Sequence, residues 1–239
     1  AESAGTSKAG PYGDFIHDLD RSVGRILAAL EKLNALENTL VIFTSDNGGV
    51  VNPGGKTGTN KIAMDAGLKI NGTLRGGKHD IWEGGFKVPF LVRWPGRVPA
   101  GTVSDAIVGV VDIFATLAAV VGETRLDRTT TAPDSVNVLP AFLGAPAAAP
   151  LRSSLILQSA SGVYAIRSGP WKWIEGMALA APGKKGPGKQ SPKADQFRPQ
   201  LYNLATDPGE TRDVVAENPA VVQQLSTLLR QHREQGFSR

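Results

Sequence analysis

The sequence predicts an α/β protein: part of a mostly parallel sheet covered by helices, followed by a small antiparallel sheet with one helix packed on it. A run from Leu40 to Phe43 has no polar face, as in a strand buried on both sides between helices. An amphipathic stretch leads straight into that run, and helix followed by buried strand is half of a βαβ unit. Past Ala145 to Pro150, a stretch of Ala and Pro that reads as a linker, the rhythm changes to short strands separated by Ser-Gly turns. The chain therefore divides into 1–144, a linker at 145–150, and 151–239.

Phe15, Leu19, Val23, Ile26, Leu30 and Leu33 recur at helical spacing, with Asp14, Asp18 and Asp20 expected in the first turns and Asn34 as the stop. The strand at Leu40 ends in Asp46-Asn47-Gly48-Gly49. Ligands of open α/β sheets bind outside the carboxyl ends of strands, which puts Asp46 and Asn47 where chemistry is expected. A carboxylate beside an amide offers only oxygen, the preference of Ca²⁺ or Mg²⁺; the same four residues also read as a polar turn closing a strand.

Val50 to Thr73 is rich in Gly, Asn and Lys, and its length marks it as an active-site loop. It delivers Leu74 to Pro89, where paired glycines at 76/77 and 84/85 flank Lys78. Lys78 reads either as a point charge for an oxyanion or as one surface lysine among many. The nucleotide P-loop spacing is absent, and Trp82 and Phe86 read as packing beneath the loop. Pro89 to Gly96 is a second strand, Asp105 to Val110 a further short one, Asp112 to Val121 a helix stopped by Gly122, and Val138 to Leu143 a short helix. Beyond the linker, Ser154 to Ser159, Val163 to Arg167, Trp171 to Ile174 and Gln200 to Leu204 read as a meander, interrupted by a loop from Gly176 to Pro199. Asn218 as cap and Pro219 open a last helix whose stripe of Val221, Val222, Leu225, Leu228 and Leu229 faces the small sheet.

The 239 residues carry a net charge of +4. The densest basic stretch, Lys184 to Lys193, is interleaved with Pro and Gly and has no aromatic residue, which argues against a nucleic-acid surface. No apolar run approaches the ~18 residues of a membrane span. With no Cys, disulfides, thiolate metal sites and a cysteine nucleophile are excluded within the chain. The opening residues contain neither an initiator Met nor a hydrophobic leader, and an interior piece of a longer chain is expected.

Five stretches in order, YGDFIHDLDRSVGRIL, NTLVIFTSDNGG, LRGGKHDIWEGGFKVPFLVRWPG, APDSV and LYNLATDPGET, resemble the C-terminal half of the type I, formylglycine-dependent sulfatases of the arylsulfatase kind. The resemblance implies an alkaline-phosphatase-like fold and a sulfuric ester hydrolase. It also implies that Asp46 and Asn47 complete a Ca²⁺ site while Lys78 contacts the sulfate group. Its substrates would be sulfated small molecules or carbohydrates, and its setting periplasmic or secreted. The family's modification signature, Cys or Ser followed by x-Pro-x-Arg, occurs nowhere in the chain. The formylglycine nucleophile, the remaining Ca²⁺ ligands and the catalytic histidine would come from the N-terminal half as partner, and the 239 residues are expected to be inactive alone. Two other readings stay open: a phosphoester or phosphonate hydrolase of the same superfamily, and a non-catalytic anion- or partner-binding fragment.

Overall fold

The computed structural model describes residues 2–51, 58–123, 125, 127, 130–145, 148–176 and 198–238. Most of the Gly176 to Pro199 loop and all of the Lys184 to Lys193 stretch lie outside them.

Helix α1 spans Gly10–Lys32. It starts earlier than the acids suggest, so Asp14 and Asp18 lie past the first turn and reach back over it. Asp14 accepts the Gly5 and Ser7 N–H groups at 2.8 Å each, and Asp18 accepts that of Ser3 at 3.1 Å. Backbone hydrogen bonds hold the Asp14 carboxyl below its ordinary pKa. The helix ends as expected at Asn34, whose φ of +53° lets the Ala35 and Asn34 N–H groups close on the carbonyls of Leu30 and Glu31.

Strand β1, Val41–Thr44, pairs antiparallel with β2, Phe90–Arg93, with Val41 opposite Arg93 and Thr44 opposite Phe90. The sequence pattern points to parallel neighbours, but the ladder among the described residues is made with a strand that returns from the loop at β1's tip. That excursion is not featureless. It holds α2, Thr59–Asp65, a helix too short to show a stripe in sequence, which packs on α1 where Ile62 approaches Gly10. After the four-residue helix α3, Glu83–Phe86, and β2, the expected strand at Asp105 to Val110 is irregular chain leading into a 3₁₀ turn, Val110–Asp112. Its apolar run, Ala106 to Val108, finds no ladder partner among the described residues. Helices α4, Ile113–Val120, and α5, Leu139–Phe142, stand within a residue or two of their expected places.

The C-terminal meander is as expected: β3 (Leu155–Gln158), β4 (Tyr164–Ser168), β5 (Trp171–Ile174) and β6 (Gln200–Asn203) pair in sequence order. Because side chains alternate across a strand, the sheet has two distinct faces. One carries Ile166, Trp173 and Leu201 against Leu225 and Leu229 of α6, Pro219–Gln235. The other carries Ala165, Ile174 and Tyr202 against Ile81 and Trp82 of the loop that precedes β2. This second face fixes the site. Asn218 does not cap α6; its amide donates to the Val214 carbonyl at 2.9 Å instead. No helix among the described residues is long and apolar enough to cross a membrane.

A buried ion pair joins the parts on either side of Ala145 to Pro150. Arg152, 3% exposed, meets the carboxylate of Asp112, 0% exposed, with Nε 3.0 Å from Oδ2, and also reaches the Asp134 carbonyl. Asp112 further accepts the N–H groups of Gly109 and Val136, so its charge is fully satisfied. Beside Arg152, Ser154 Oγ lies 2.9 Å from His232 Nε2, and the Gln235 amide, steered by the Phe237 carbonyl, faces His232 Nδ1 at 3.0 Å. An amide N–H against Nδ1 makes that nitrogen the acceptor, so Nε2 carries the proton and the ring is neutral.

Burial lowers the His232 pKa, with Arg152 adding to the effect and Asp134 opposing it. Below about pH 6.5 the unfolded chain takes up a proton that the folded ring resists, so stability falls as the pH drops through that value. In thermal melts of the full-length gene product, the melting temperature is expected to fall further between about pH 7.5 and about pH 5.5 in the parent than in His232→Gln. Equal slopes would remove this role from His232.

Candidate active site

The site is built where the tip of β1 meets the loop before β2. Ser45 Oγ donates to the Asn47 carbonyl at 2.9 Å and turns the chain away from the strand axis. At this turn two backbone segments come into direct contact. Gly48 N–H donates to the Gly85 carbonyl at 2.9 Å, and Lys78 N–H donates to the Gly49 carbonyl at 3.1 Å. A Cβ on Gly48 would stand 1.8 Å from the Gly84 oxygen, and one on Gly77 would stand 2.5 Å from the Gly49 oxygen. The glycines thus serve close approach, which the sequence indicates by their pairing but not by naming their partners.

Asn71 stitches the two segments together. Its Oδ1 accepts the Gly49 N–H at 2.8 Å, while its Nδ2 donates to the carbonyls of Gly49 at 3.1 Å and Gly76 at 2.9 Å. Three of the four bonds an amide can make are used here, enough to fix its orientation. Sequence reasoning passed Asn71 over because it stands in a polar stretch with no motif of its own; its only signal is its place at the end of a long loop.

Lys78 is exposed, and among the described residues its side chain has no partner. Its position is set by its backbone. Asp80 folds the loop on itself, with Oδ2 accepting the Gly77 N–H at 3.1 Å and its own N–H bonded to the Gly77 carbonyl at 2.9 Å. His79 sits in the left-handed region at φ +80°, a conformation of order 1 kcal/mol or more for a residue with a side chain, and its carbonyl accepts the Ala160 N–H at 3.2 Å. The turn between β3 and β4 therefore holds the loop from the far side.

Asp46 is exposed and makes no hydrogen bond or ion pair among the described residues. Asn47 spends its Nδ2 on the Gly48 carbonyl at 2.9 Å, which leaves Oδ1 as an acceptor at the residue that follows Asp46. Two adjacent free oxygens of this kind fit a hard divalent cation such as Ca²⁺. No group of three or more His, Cys, Asp or Glu residues able to hold a metal occurs among the described residues.

Beneath the loop, the sheet face opposite α6 is polar along one row. Arg167 is opposite Lys172, and Lys172 opposite Tyr202, across β4, β5 and β6. Lys172 Nζ lies 3.0 Å from Glu83 Oε1 and 2.9 Å from Glu210 Oε1, and Glu210 Oε2 accepts the Glu83 N–H at 2.6 Å. Arg75 stacks over the Trp82 ring at 3.9 Å and donates to Tyr202 Oη at 2.8 Å. Tyr202 in turn donates to Gln200 Oε1 at 2.7 Å, which also accepts from Trp82 Nε1 at 3.2 Å. Burial raises the pKa of the Tyr202 phenol and keeps it a donor.

A sequence profile described as Sulfatase matches residues 2–123. The chain is 37% identical over 226 residues to the N-acetylgalactosamine-6-O-sulfatase of Bacteroides thetaiotaomicron, covering 95% of this chain and 42% of that protein. It is 31% identical over 247 residues to the human N-acetylgalactosamine-6-sulfatase, covering 96% and 44%. Among solved structures, a 6S-sulfatase from a Bacteroides thetaiotaomicron locus for glycosaminoglycan metabolism superposes with a TM-score of 0.80 at 34% identity, over 96% of this chain and 46% of that one. The chain spans less than half the length of the curated relatives it matches.

Proposed function

The chain belongs to the sulfatase family, and on that premise we propose that it supplies one side of the active site of an enzyme that hydrolyses sulfate monoesters of carbohydrates. The observation that carries this reading is the seam at Asn71, which puts the backbone of Lys78 against the turn that bears Asp46 and Asn47.

A sulfate monoester presents oxygens that share a single negative charge, and cleavage of the S–O bond moves charge onto the departing oxygen. Lys78, held by its backbone and free at its ammonium, would bind such an oxygen and strengthen that contact as charge shifts. Asp46 and Asn47 would hold Ca²⁺ as two of its roughly six to eight oxygen ligands. When bound, that ion supplies charge neutralisation at the sulfate oxygens. Asp46 contributes the full charge to this pair and Asn47 a neutral dipole, so the carboxylate binds and the amide orients. The glycine seam brings the loop close to the turn without a side chain between them, and on this reading both groups would meet one anion. The chain carries no Cys or Ser followed by x-Pro-x-Arg; the formylglycine nucleophile, and with it turnover, is assigned to sequence outside these residues.

The names of the two relatives make 6-O-sulfated N-acetylgalactosamine the first compound to try. The full-length gene product should release sulfate from it and from 4-nitrophenyl sulfate faster than phosphate from 4-nitrophenyl phosphate. A preference for the phosphate ester would reject the reading in favour of a phosphoester hydrolase.

A further inference from the structure

We propose that Glu210, acting with Lys172 and Glu83, is a positioning residue that sets where Lys78 stands. This rests on the reading of Lys78 as the group that holds the sulfate. The two ends of the glycine loop, Arg75 and Glu83, are both tied to Glu210. Arg75 Nη1 lies 3.4 Å from the Glu210 carbonyl, and the Glu83 N–H donates to Glu210 Oε2 at 2.6 Å. The loop is closed between those ends by the Gly84 N–H on the Arg75 carbonyl at 2.8 Å, and Lys78 lies within the closed segment.

Adhesion alone does not account for the groups used. Lys172 is 0% exposed, Glu210 1% and Glu83 4%. Burying three charges costs desolvation that an apolar contact of the same size would avoid, and this sheet face already has Ala165, Ile174 and Tyr202 to supply one. Glu210 also sits in the left-handed region at φ +54°, a further cost for a residue with a side chain. What the ions add is direction. An ammonium hydrogen-bonded to Glu83 and in ion-pair contact with Glu210, with Arg167 Nη1 3.9 Å from Glu83, ties the loop to the sheet in one register, which apolar packing does not. A shift of about 1 Å in the group that holds the anion is enough to cost turnover.

The test is a double-mutant cycle in the full-length gene product, crossing Glu210→Gln with Lys78→Ala and reading kcat and KM on 4-nitrophenyl sulfate together with the melting temperature. Glu210→Gln is expected to lower kcat about tenfold or more when Lys78 is present and less than about twofold when it is absent. Equal losses in both backgrounds, or no loss in the first, would overturn the proposal and leave the cluster a structural tether. Should Glu210→Gln fail to fold, Glu210→Asp keeps the charge but shortens its reach, and it must show the same dependence on Lys78. If Lys78→Ala costs activity and the cycle is additive, this inference alone fails; if Lys78→Ala costs nothing, the reading of the site fails with it.

Discussion

Lys78→Ala in the full-length gene product is expected to lower kcat/KM on a sulfate ester by about 100-fold or more while moving stability by no more than about 0.5 kcal/mol. The two halves of that expectation have separate physical grounds. The ammonium has no partner among the described residues, so its removal breaks no contact of the fold. The loop is shaped by backbone bonds at Gly49, Gly77 and Arg75, all of which survive the substitution. What is lost is one oriented charge at the anion, felt most in the transition state. Lys78→Arg is expected to recover only part of the loss, since a planar guanidinium cannot take the place of a compact point charge. Steady-state kinetics beside a thermal melt checks both halves. A melting temperature that falls together with activity would mean that Lys78 props the loop, and near-parental turnover would place the anion elsewhere.

The parts of the fold that could be read in the sequence are those whose signal is local and periodic. Helix α1 shows its stripe and its Asn34 stop, α6 its stripe, and the meander its strand lengths and turns. The close approach of the two segments was indicated by the glycine pairs at 48/49, 76/77 and 84/85, though the distance between the segments is not written in either; the roles given to Asp46, Asn47 and Lys78 come from the family resemblance, not from their spacing. What could not be read depends on pairs far apart in the chain. Lys172 and Glu210 each look like an ordinary surface charge, and nothing local says that they meet Glu83 from 89 and 127 residues away. One clue was present. In Trp171-Lys172-Trp173-Ile174, the lysine shares its face with Ile174, so once α6 covers Trp173 the opposite face must also be buried and the lysine must find acids there. Helix α2 was hidden for another reason: its seven residues hold too few apolar positions to show a period, and packing on α1 decides it.

Gly48→Ala is expected to abolish activity and to destabilise the full-length protein, although it adds a single methyl group and removes no charged or ligating side chain. That methyl carbon would stand 1.8 Å from the Gly84 oxygen and 2.7 Å from the Gly84 carbonyl carbon, distances no contact tolerates. The obstacle is backbone, so no side chain can swing aside. Relief requires the β1 turn and the α3 segment to separate, and separation breaks the Gly48 to Gly85 hydrogen bond and strains the Asn71 stitch beside it. Overpacking in a well-filled interior costs about 1–3 kcal/mol, and a clash of this depth between two main-chain segments belongs at the upper end or beyond. Gly24→Ala is the matched control. It adds the same methyl group inside α1, where nothing lies within 4 Å of the new carbon, and should stabilise by about 0.5–1 kcal/mol because alanine is the better helix former. Opposite signs in the two melts, with turnover lost only in Gly48→Ala, are the expected result. Retained turnover in Gly48→Ala would show that the two segments need not touch for the site to work, and the seam would lose its claim to be what brings Lys78 beside Asp46 and Asn47.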